Sequence, residues 1–91
     1  MTKHDKRLLR FLSMPRDFTW EELVALMSHF GFVYSCPNGG SHGEFYNSVL
    51  DRTISPATRP HGGSNSIPKY QMKQYKAALI DCGCIPPEED L

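Results

Sequence analysis

One histidine, His42, directly follows the glycine-rich turn Gly39-Gly40-Ser41. The turn lies between two segments whose residue types are typical of β-strands. Histidine has an ordinary pKa of about 6.5, so its side chain can accept and donate protons near neutral pH. This position makes His42 a candidate for acid–base chemistry. The alternative is an ordinary polar surface residue beside a turn.

A row of lysines is the second feature that could do chemistry. Lys69, Lys73 and Lys76 recur at i, i+4 and i+7, a spacing that places side chains along one edge of a helix. Three ammonium groups in such a row can contact the phosphates of a nucleic acid. The alternative is a solvated helix face, which is the usual role of a charge run.

Two helices are predicted before the first strand. Apolar residues at positions 8, 9, 11 and 12 indicate a short helix over residues 4–13 that ends before Pro15. So short a helix is marginal alone and must dock on the domain or on a partner. The second helix begins after Thr19, which forms a capping box with Glu22, and Gly31 ends it. Its apolar stripe, expected to face the core, is Trp20, Leu23, Val24 and Met27.

Three strands are predicted next. A β-prone run over residues 32–36 leads into Asn38-Gly39, a dipeptide typical of hairpin turns, so a second strand is expected over residues 42–49. Alternation along that strand places Phe45 and Val49 on the core face. The other face receives His42, Glu44, Tyr46 and Ser48. A third strand is more weakly indicated within residues 51–57, because Pro56, which lacks a backbone N–H, should interrupt it or place it at a sheet edge.

The last predicted helix carries the lysine row. Ser66 is expected to cap it, Pro68 fits its first turn, and Gly83 follows its end near residues 81–82. Its apolar stripe is Met72, Tyr75, Leu79 and Cys82. Helices and an antiparallel sheet in this order indicate an α+β domain.

The composition is that of one folded domain. Ninety-one residues, 40% of them hydrophobic, suit a single core and argue against a disordered chain. Neither a long apolar run nor a signal peptide is recognised, so a soluble cytoplasmic protein without membrane contact is expected.

Three cysteines, an odd number, favour reduced thiols over a secreted disulfide framework. A zinc site formed by Cys36, Cys82 and Cys84 with a histidine is a weaker alternative. Its weakness is the Cys-x-Cys spacing, which is closer than that of ordinary zinc sites.

The charges are segregated along the chain, although the net charge is zero. Residues 1–16 carry five basic residues against one acidic residue, and residues 32–80 carry five against two. Acidic residues dominate residues 17–31 and the last eleven positions. We therefore interpret residues 86–91 as an acidic tail. Its negative charge offsets the positive charge of a basic functional region, so the net charge alone does not reveal that region.

Five short motifs between residues 19 and 85 carry a family resemblance. They are Thr19-Trp20-Glu21-Glu22-Leu23, Gly31-Phe32, Gly40-Ser41-His42-x-x-Phe45, Pro60-His61-Gly62 and Ile67-Pro68. In this order they resemble the HicA family of bacterial toxins. HicA proteins have a fold like that of the double-stranded RNA-binding domain. The resemblance therefore implies a three-stranded antiparallel sheet packed on two helices, here with an additional short N-terminal helix.

The resemblance also implies a function. HicA proteins are mRNA interferases, endoribonucleases of type II toxin–antitoxin systems, and a HicB antitoxin neutralises them. The functional histidine of the family falls on His42, so an RNA substrate and a HicB-like antitoxin are the expected partners, in the bacterial cytoplasm and in a stress response. Residues expected to contact RNA are Gly40, Ser41, Arg59, His61, Lys69, Lys73 and Lys76.

The chain departs from the family at both ends. Within a single domain over residues 1–91, residues 1–16 form an extra helical segment, residues 17–85 form the HicA-like core, and residues 86–91 form the acidic tail.

The expected cleavage needs no metal or other cofactor, since no carboxylate cluster suited to magnesium is recognised. The 2′-hydroxyl of RNA is the nucleophile, and His42 acts as general base or acid. Phosphate charge is stabilised by Lys69, Lys73 or Arg59. Tyr46 and His61 are candidates for the second proton carrier. The main alternative is a non-catalytic module of the double-stranded RNA-binding type, which reads RNA shape and phosphates without cutting.

Overall fold

The computed structural model describes residues 2–36, 42–60 and 65–86, with the backbone alone for His42. The predicted hairpin turn with Gly40 and Ser41, the residue His61 and residues 87–91 of the tail lie outside this set. The described chain has an α+β fold with a three-stranded antiparallel sheet of order β1-β2-β3, which confirms the predicted class. The elements are α1 (Lys3–Leu12), α2 (Trp20–His29), β1 (Phe32–Ser35), β2 (His42–Asn47), β3 (Arg52–Thr58) and α3 (Lys69–Asp81).

The capping box predicted for α2 is confirmed. The Thr19 hydroxyl accepts from the Glu22 amide at 3.2 Å, and the Glu22 carboxylate accepts from the Thr19 amide at 3.2 Å. Thr2 and Asp5 form a second box at the start of α1, which the sequence analysis did not identify.

The prediction that Ser66 caps α3 is wrong. Pro68 occupies the N-cap position, and no side chain of the described residues caps the helix. Ser66 instead forms an antiparallel bridge with Thr19, because the backbone around it is engaged with the segment before α2.

Helix α1 docks on the domain itself. Phe11 is fully buried and meets Phe18 edge to face, with ring centroids 5.5 Å apart. The Arg10 guanidinium donates through two nitrogens to the Glu22 carboxylate, at 2.8 and 3.1 Å. This hydrogen-bonded pair lowers the pKa of Glu22. Glu22, which completes the capping box of α2, therefore also holds α1 in place.

The sheet is centred on Phe45, which lies opposite Tyr34 of β1 and Ile54 of β3. Phe45 contacts Trp20 of α2 and Tyr75 of α3, so both helices cover the same face of the sheet. The buried residues form one cluster on that face: Phe11, Phe18, Trp20, Leu23, Leu26, Met27, Phe32, Phe45, Ala57, Ile67, Met72, Tyr75, Leu79 and Ile85.

Among the described strands, β3 pairs only with β2, which agrees with the edge position expected for the strand that holds Pro56. The pairing has a bulge between Ile54 and Ala57, where Ser55 and Pro56 of β3 lie opposite the single residue Glu44 of β2. Such a bulge is typical of sheet edges and places a proline where no ladder hydrogen bond is needed.

The expectation that β2 continues to residue 49 with Val49 on the core face is wrong. The strand ends at Asn47, which is buried, whereas Val49 is 88% exposed. The Asn47 amide nitrogen donates to the Phe30 carbonyl at 2.9 Å, and its oxygen accepts from the backbone amides of Val49 and Leu50, each at 3.0 Å. These three hydrogen bonds turn the chain away from the sheet two residues early.

A stacked pair of imidazoles joins the start of α1 to the end of α2. His4 and His29 are nearly parallel, with ring centroids 3.4 Å apart, and Phe30 meets His4 edge to face. Burial, followed by the neighbouring His29, lowers the pKa of His4. The folded state therefore favours neutral His4.

We expect acidification to loosen the start of α1. A histidine whose pKa is lower in the folded state stabilises the fold fully above its unfolded pKa of about 6.5 and loses that contribution as the pH falls. Hydrogen exchange of residues 3–8, corrected for intrinsic rates, should therefore show less protection at about pH 5.5 than at about pH 7.5.

His4→Phe is the matched control, because it keeps an aromatic ring against His29 without titrating. Its protection should hardly change over the same interval. An unchanged pH response in this variant would contradict a role for His4. Because the pKa of Glu22 is lowered, its carboxylate stays ionised over this pH interval, and its ion pair with Arg10 does not contribute to the change.

Candidate functional site

The candidate site lies where β2 begins. His42 is the first residue of this strand, and its backbone pairs with Thr58, the last residue of β3. Arg59 follows Thr58 directly and is exposed. The ladder therefore brings the predicted histidine and one predicted cation to the same end of the sheet.

A backbone crossing brings the start of α3 to this end as well. The Ile67 amide donates to the Phe18 carbonyl at 2.8 Å, and the Trp20 amide donates to the Asn65 carbonyl at 3.0 Å. Lys69, the first residue of α3, follows this crossing by two positions. We call the group formed by His42, Thr58, Arg59 and Lys69 the histidine end of the sheet.

Arg59 also borders a groove on the outer side of α2. The groove has a volume of about 480 Å³ and runs along the helix from its first to its last turn. Its other lining residues are Trp20, Glu21, Val24, Ala25 and Ser28. The Glu21 carboxylate accepts from the Asn65 side chain, which ties the first turn of α2 to the crossing segment. The groove thus offers a guanidinium on one side and a helix face on the other.

Tyr34 is a neighbour of the site that the sequence analysis missed. Its ring packs edge to face on Trp20, with centroids 5.0 Å apart. Burial raises the pKa of Tyr34, a hydrogen bond with Cys36 adds to the increase, and the positive charge of Arg59 opposes it. The phenol is therefore protonated at neutral pH, and its hydroxyl lies between the end of β1 and Arg59.

Gly43 is needed for this arrangement. A Cβ at position 43 would lie 2.5 Å from the Ser35 carbonyl oxygen and 2.7 Å from the Tyr34 hydroxyl. No side chain fits there without a shift of β1 or β2. A glycine inside a strand pattern is the one feature of the sequence that could have indicated such a close approach.

Tyr46, a candidate second proton carrier, has its hydroxyl at the opposite end of the strand. It is half-exposed, and its hydroxyl donates to the Asp51 carboxylate at 3.3 Å, beside the turn after β2. Four residues of a strand separate it from His42, about 13 Å. The structure thus does not bring Tyr46 to the histidine end, and His61, the other candidate, lies outside the described residues.

The lysine row extends from the histidine end along α3. Lys69 and Lys73 are exposed, and Lys76 is half-buried. Lys73 and Lys76 line a groove of about 280 Å³ with Met14, Ala77 and Ile80. Only the first of the three lysines is therefore placed at the start of the helix, and the other two flank an apolar surface.

Tyr75 lies beneath the site and belongs to the core. Burial raises its pKa to about 12, and the nearby Thr58 backbone opposes this increase. Among the described residues, the buried hydroxyl meets no partner at standard hydrogen-bond geometry. The protonated phenol fixes α3 against β2 through its ring contact with Phe45.

The proposed zinc grouping is not supported by the described residues. Cys36 follows β1 at the end where Ser35 pairs with Glu44. Cys82 and Cys84 follow α3 at the other end of the sheet, where Asp81 contacts Arg52. The three cysteines form no disulfide, and among the described residues no three metal-binding side chains come together.

Comparison with known proteins adds no relative. No protein-family model, no curated protein and no solved structure matches the chain. Among the helices of the described chain, none has both the length and the apolar character needed to cross a membrane.

We expect Gly43→Ala to disrupt the histidine end. The added methyl group meets the backbone oxygen of Ser35, which cannot rotate away as a side chain could, and overpacking of this kind typically costs about 1–3 kcal/mol. Urea unfolding should show the loss, and amide exchange should locate it at β1 and the start of β2.

Ser48→Ala is a suitable control, because Ser48 is exposed in the turn after β2. The double variant Tyr34→Phe/Gly43→Ala should remain destabilised, since the Ser35 contact persists. Full stability of Gly43→Ala would show that β1 and β2 do not require this close approach.

Proposed function

We propose that this protein is an endoribonuclease of the HicA type that cleaves mRNA without a metal ion, with His42 as general acid or base. The observation that carries the proposal is the placement of the motif histidine and two cations, Arg59 and Lys69, at one end of the sheet. A histidine and cations in one site would suit phosphodiester cleavage, because protons must move while phosphate charge is held.

The order of elements supports the same proposal by analogy. Leaving α1 aside, a helix, three antiparallel strands and a second helix follow one another, and both helices contact Phe45 on one face of the sheet. This is the arrangement expected for the fold of the double-stranded RNA-binding domain. One fold hosts many functions, so the motif at His42 and its cationic neighbours carry more weight than the topology.

The proposed reaction uses the substrate's own nucleophile. The 2′-hydroxyl attacks the adjacent phosphorus, its proton passes to a base, and the leaving 5′-oxygen receives a proton from an acid. His42 supplies one of these two proton transfers, and a positioned group of this kind contributes about 10²–10⁴-fold. Arg59 and Lys69 hold the charge that develops on the phosphate oxygens.

His42→Ala should lose RNA cleavage by about 10²–10⁴-fold while the protein remains folded. Cleavage of a labelled transcript, together with growth arrest on expression, measures the loss, and thermal unfolding checks the fold. Cleavage by the wild-type protein should persist in EDTA. Full activity of folded His42→Ala would disprove the mechanism, and an EDTA-sensitive activity restored by a divalent ion would show that a metal takes part.

The triple variant Lys69→Gln/Lys73→Gln/Lys76→Gln should weaken RNA binding regardless of sequence. Each lost phosphate contact on a single strand removes about 0.7 from the slope of log affinity against log salt concentration. Binding titrations at several salt concentrations measure this slope. The triple variant Lys3→Gln/Lys6→Gln/Arg7→Gln on α1 removes the same charge and serves as control. A slope equal to that of the wild type would make the α3 row an ordinary solvated face.

A non-catalytic RNA-binding module is the second candidate function. It is favoured by the same cationic residues and by the same order of elements, and it needs no reactive histidine. The two candidates differ in one measurement. A binding module leaves transcripts intact and still loses affinity in the α3 lysine variant, whereas a nuclease releases fragments that disappear in His42→Ala.

The proposed partner is a HicB-like antitoxin that covers the histidine end. An inhibitor with an acidic surface is steered quickly to a cationic site and excludes RNA by occupying it. Co-purification with the product of the adjacent gene, followed by hydrogen exchange, should show protection that includes residues 39–46. A neutralising complex in which this stretch exchanges freely would rule out direct occlusion.

A further inference from the structure

Tyr70, the second residue of α3, is the most exposed phenylalanine, tyrosine or tryptophan in the described part of the chain. Its exposed fraction is 64%. The other tyrosines serve the fold, because the rings of Tyr34 and Tyr75 pack on Phe45 and the hydroxyl of Tyr46 donates to a carboxylate. Tyr70 is therefore an aromatic side chain that the core does not use.

The first turn of α3 places Tyr70 at the histidine end of the sheet. Side chains of an α-helix lean toward its N-terminus, so a ring at the second position extends over the start of the helix. That start directly follows the backbone crossing with α2. Burial raises the pKa of Tyr75 to about 12, and the neighbouring phenols of Tyr34 and Tyr70 add to the increase. The Thr58 backbone, which pairs with His42, lies near the same hydroxyl.

Two exposed lysines lie beside Tyr70 on the helix surface. Lys69 directly precedes it, and Lys73 follows three positions later, the spacing at which helical side chains are neighbours. Within the described residues, neither lysine forms an ion pair. The Gln71 side chain donates to the Tyr70 hydroxyl at 3.4 Å, which holds the tip of the ring and leaves most of the side chain open.

An open ring between two ammonium groups has the chemistry that binds a nucleotide of a single strand. Aromatic rings stack on bases of any type, and ammonium groups contact the phosphates that flank them. Bases of duplex RNA are covered by their neighbours, so only an unpaired base can stack on a protein side chain. Binding of duplex RNA by shape and phosphate contacts needs no such ring. Tyr70 therefore favours a single-stranded ligand.

We propose that Tyr70 stacks on one unpaired base of an RNA strand, while Lys69 and Lys73 contact the phosphates on either side of that base. The histidine end then accepts RNA only where the strand is unpaired. This role rests on the proposed function, because it assigns the form of RNA that the same site takes. Tyr70 holds the strand in place, and the proton transfer belongs to His42.

Binding of a non-cleavable probe tests the stacking. The probe is a short RNA single strand with 2′-O-methyl groups, which remove the nucleophile, and a duplex of the same sequence is its counterpart. Tyr70→Leu should weaken binding of the single strand about fivefold or more, as expected when one base loses its aromatic partner. Tyr70→Phe keeps the ring and should bind within about twofold of the wild type. Both variants should bind the duplex as the wild type does.

The salt dependence separates stacking from charge. Tyr70→Leu leaves the phosphate contacts in place, so its slope of log affinity against log salt concentration should equal that of the wild type. Lys69→Gln is the matched contrast, because it keeps the ring and should lower the magnitude of the slope by about 0.7. Thermal unfolding checks the fold, and little change is expected for leucine, a strong helix former, at this exposed position.

Photocrosslinking adds a readout that a merely structural role of Tyr70 would not produce. On irradiation, 5-bromouridine in the single strand forms a bond to an aromatic ring in contact with it, with loss of HBr. Peptide mass spectrometry should locate the product at Tyr70. The product should be absent from Tyr70→Leu.

Four results would overturn the proposal. They are unchanged binding of the single strand by Tyr70→Leu, an equal loss for the single strand and the duplex, a failure of Tyr70→Phe to keep the affinity, and a crosslink located only at other residues. If Tyr70→Leu instead binds RNA normally but no longer binds the product of the adjacent gene, Tyr70 belongs to a protein interface.

Cleavage of a natural transcript decides the proposed function separately. Equal cleavage by the wild type and Tyr70→Leu, with equal binding of the single strand, would refute the stacking and leave the nuclease standing. Single-strand binding that depends on Tyr70, without cleavage by the wild type, would refute the nuclease and leave the stacking. A wild-type protein that binds neither probe would refute both.

Discussion

The backbone crossing between residues 65–67 and 18–20 is the constraint on which the rest of the structure depends. Two hydrogen bonds, from Ile67 to Phe18 and from Trp20 to Asn65, fix the starts of α2 and α3 against each other. Phe18 and Ile67 are buried, so the crossing is also a packed part of the core. The start of α3, and with it Lys69, is therefore held beside the start of α2.

The sheet adds a second constraint at the same end. Gly43 allows β2 to approach β1 closely enough for the Tyr34 hydroxyl and the Ser35 carbonyl to lie against its Cα. Tyr34 in turn packs on Trp20 and Phe45, which connects the first turn of α2 to the centre of the sheet. The position of the His42 backbone is therefore set by packing in three elements and not by the glycine-rich turn alone.

The elements that could be predicted are those whose determinants are local. The capping box of Thr19 and Glu22 needs only a spacing of three positions, and the apolar stripe of α3 needs only its helical period. Ser66 failed as a cap because a pairing with residues 47 positions earlier overrides a local preference. Val49 failed as a core residue because the Asn47 side chain replaces backbone partners in the turn. The first determinant is a contact between residues distant in sequence, and the second is a set of side-chain hydrogen bonds. Neither follows from hydrophobic periodicity or from residue propensity.

The sequence indicated a histidine and several cations as candidate site residues, but it did not indicate which cations form ion pairs within the fold. By sequence alone, residues 1–16 form a strongly basic segment, with five basic residues and one acidic residue. The structure assigns Arg10 to Glu22 and Asp17, and Arg52 to Asp81. The guanidinium of Arg10 therefore holds α1 on the domain and is not part of a binding surface. Cationic side chains at the histidine end come instead from Arg59 and Lys69, which stand 10 positions apart in sequence and are joined there by the crossing segment. A net charge of zero is thus compatible with a cationic site, because acidic residues neutralise Arg10 and Arg52, whereas no ion pair of Arg59 or Lys69 is found within the described part of the chain.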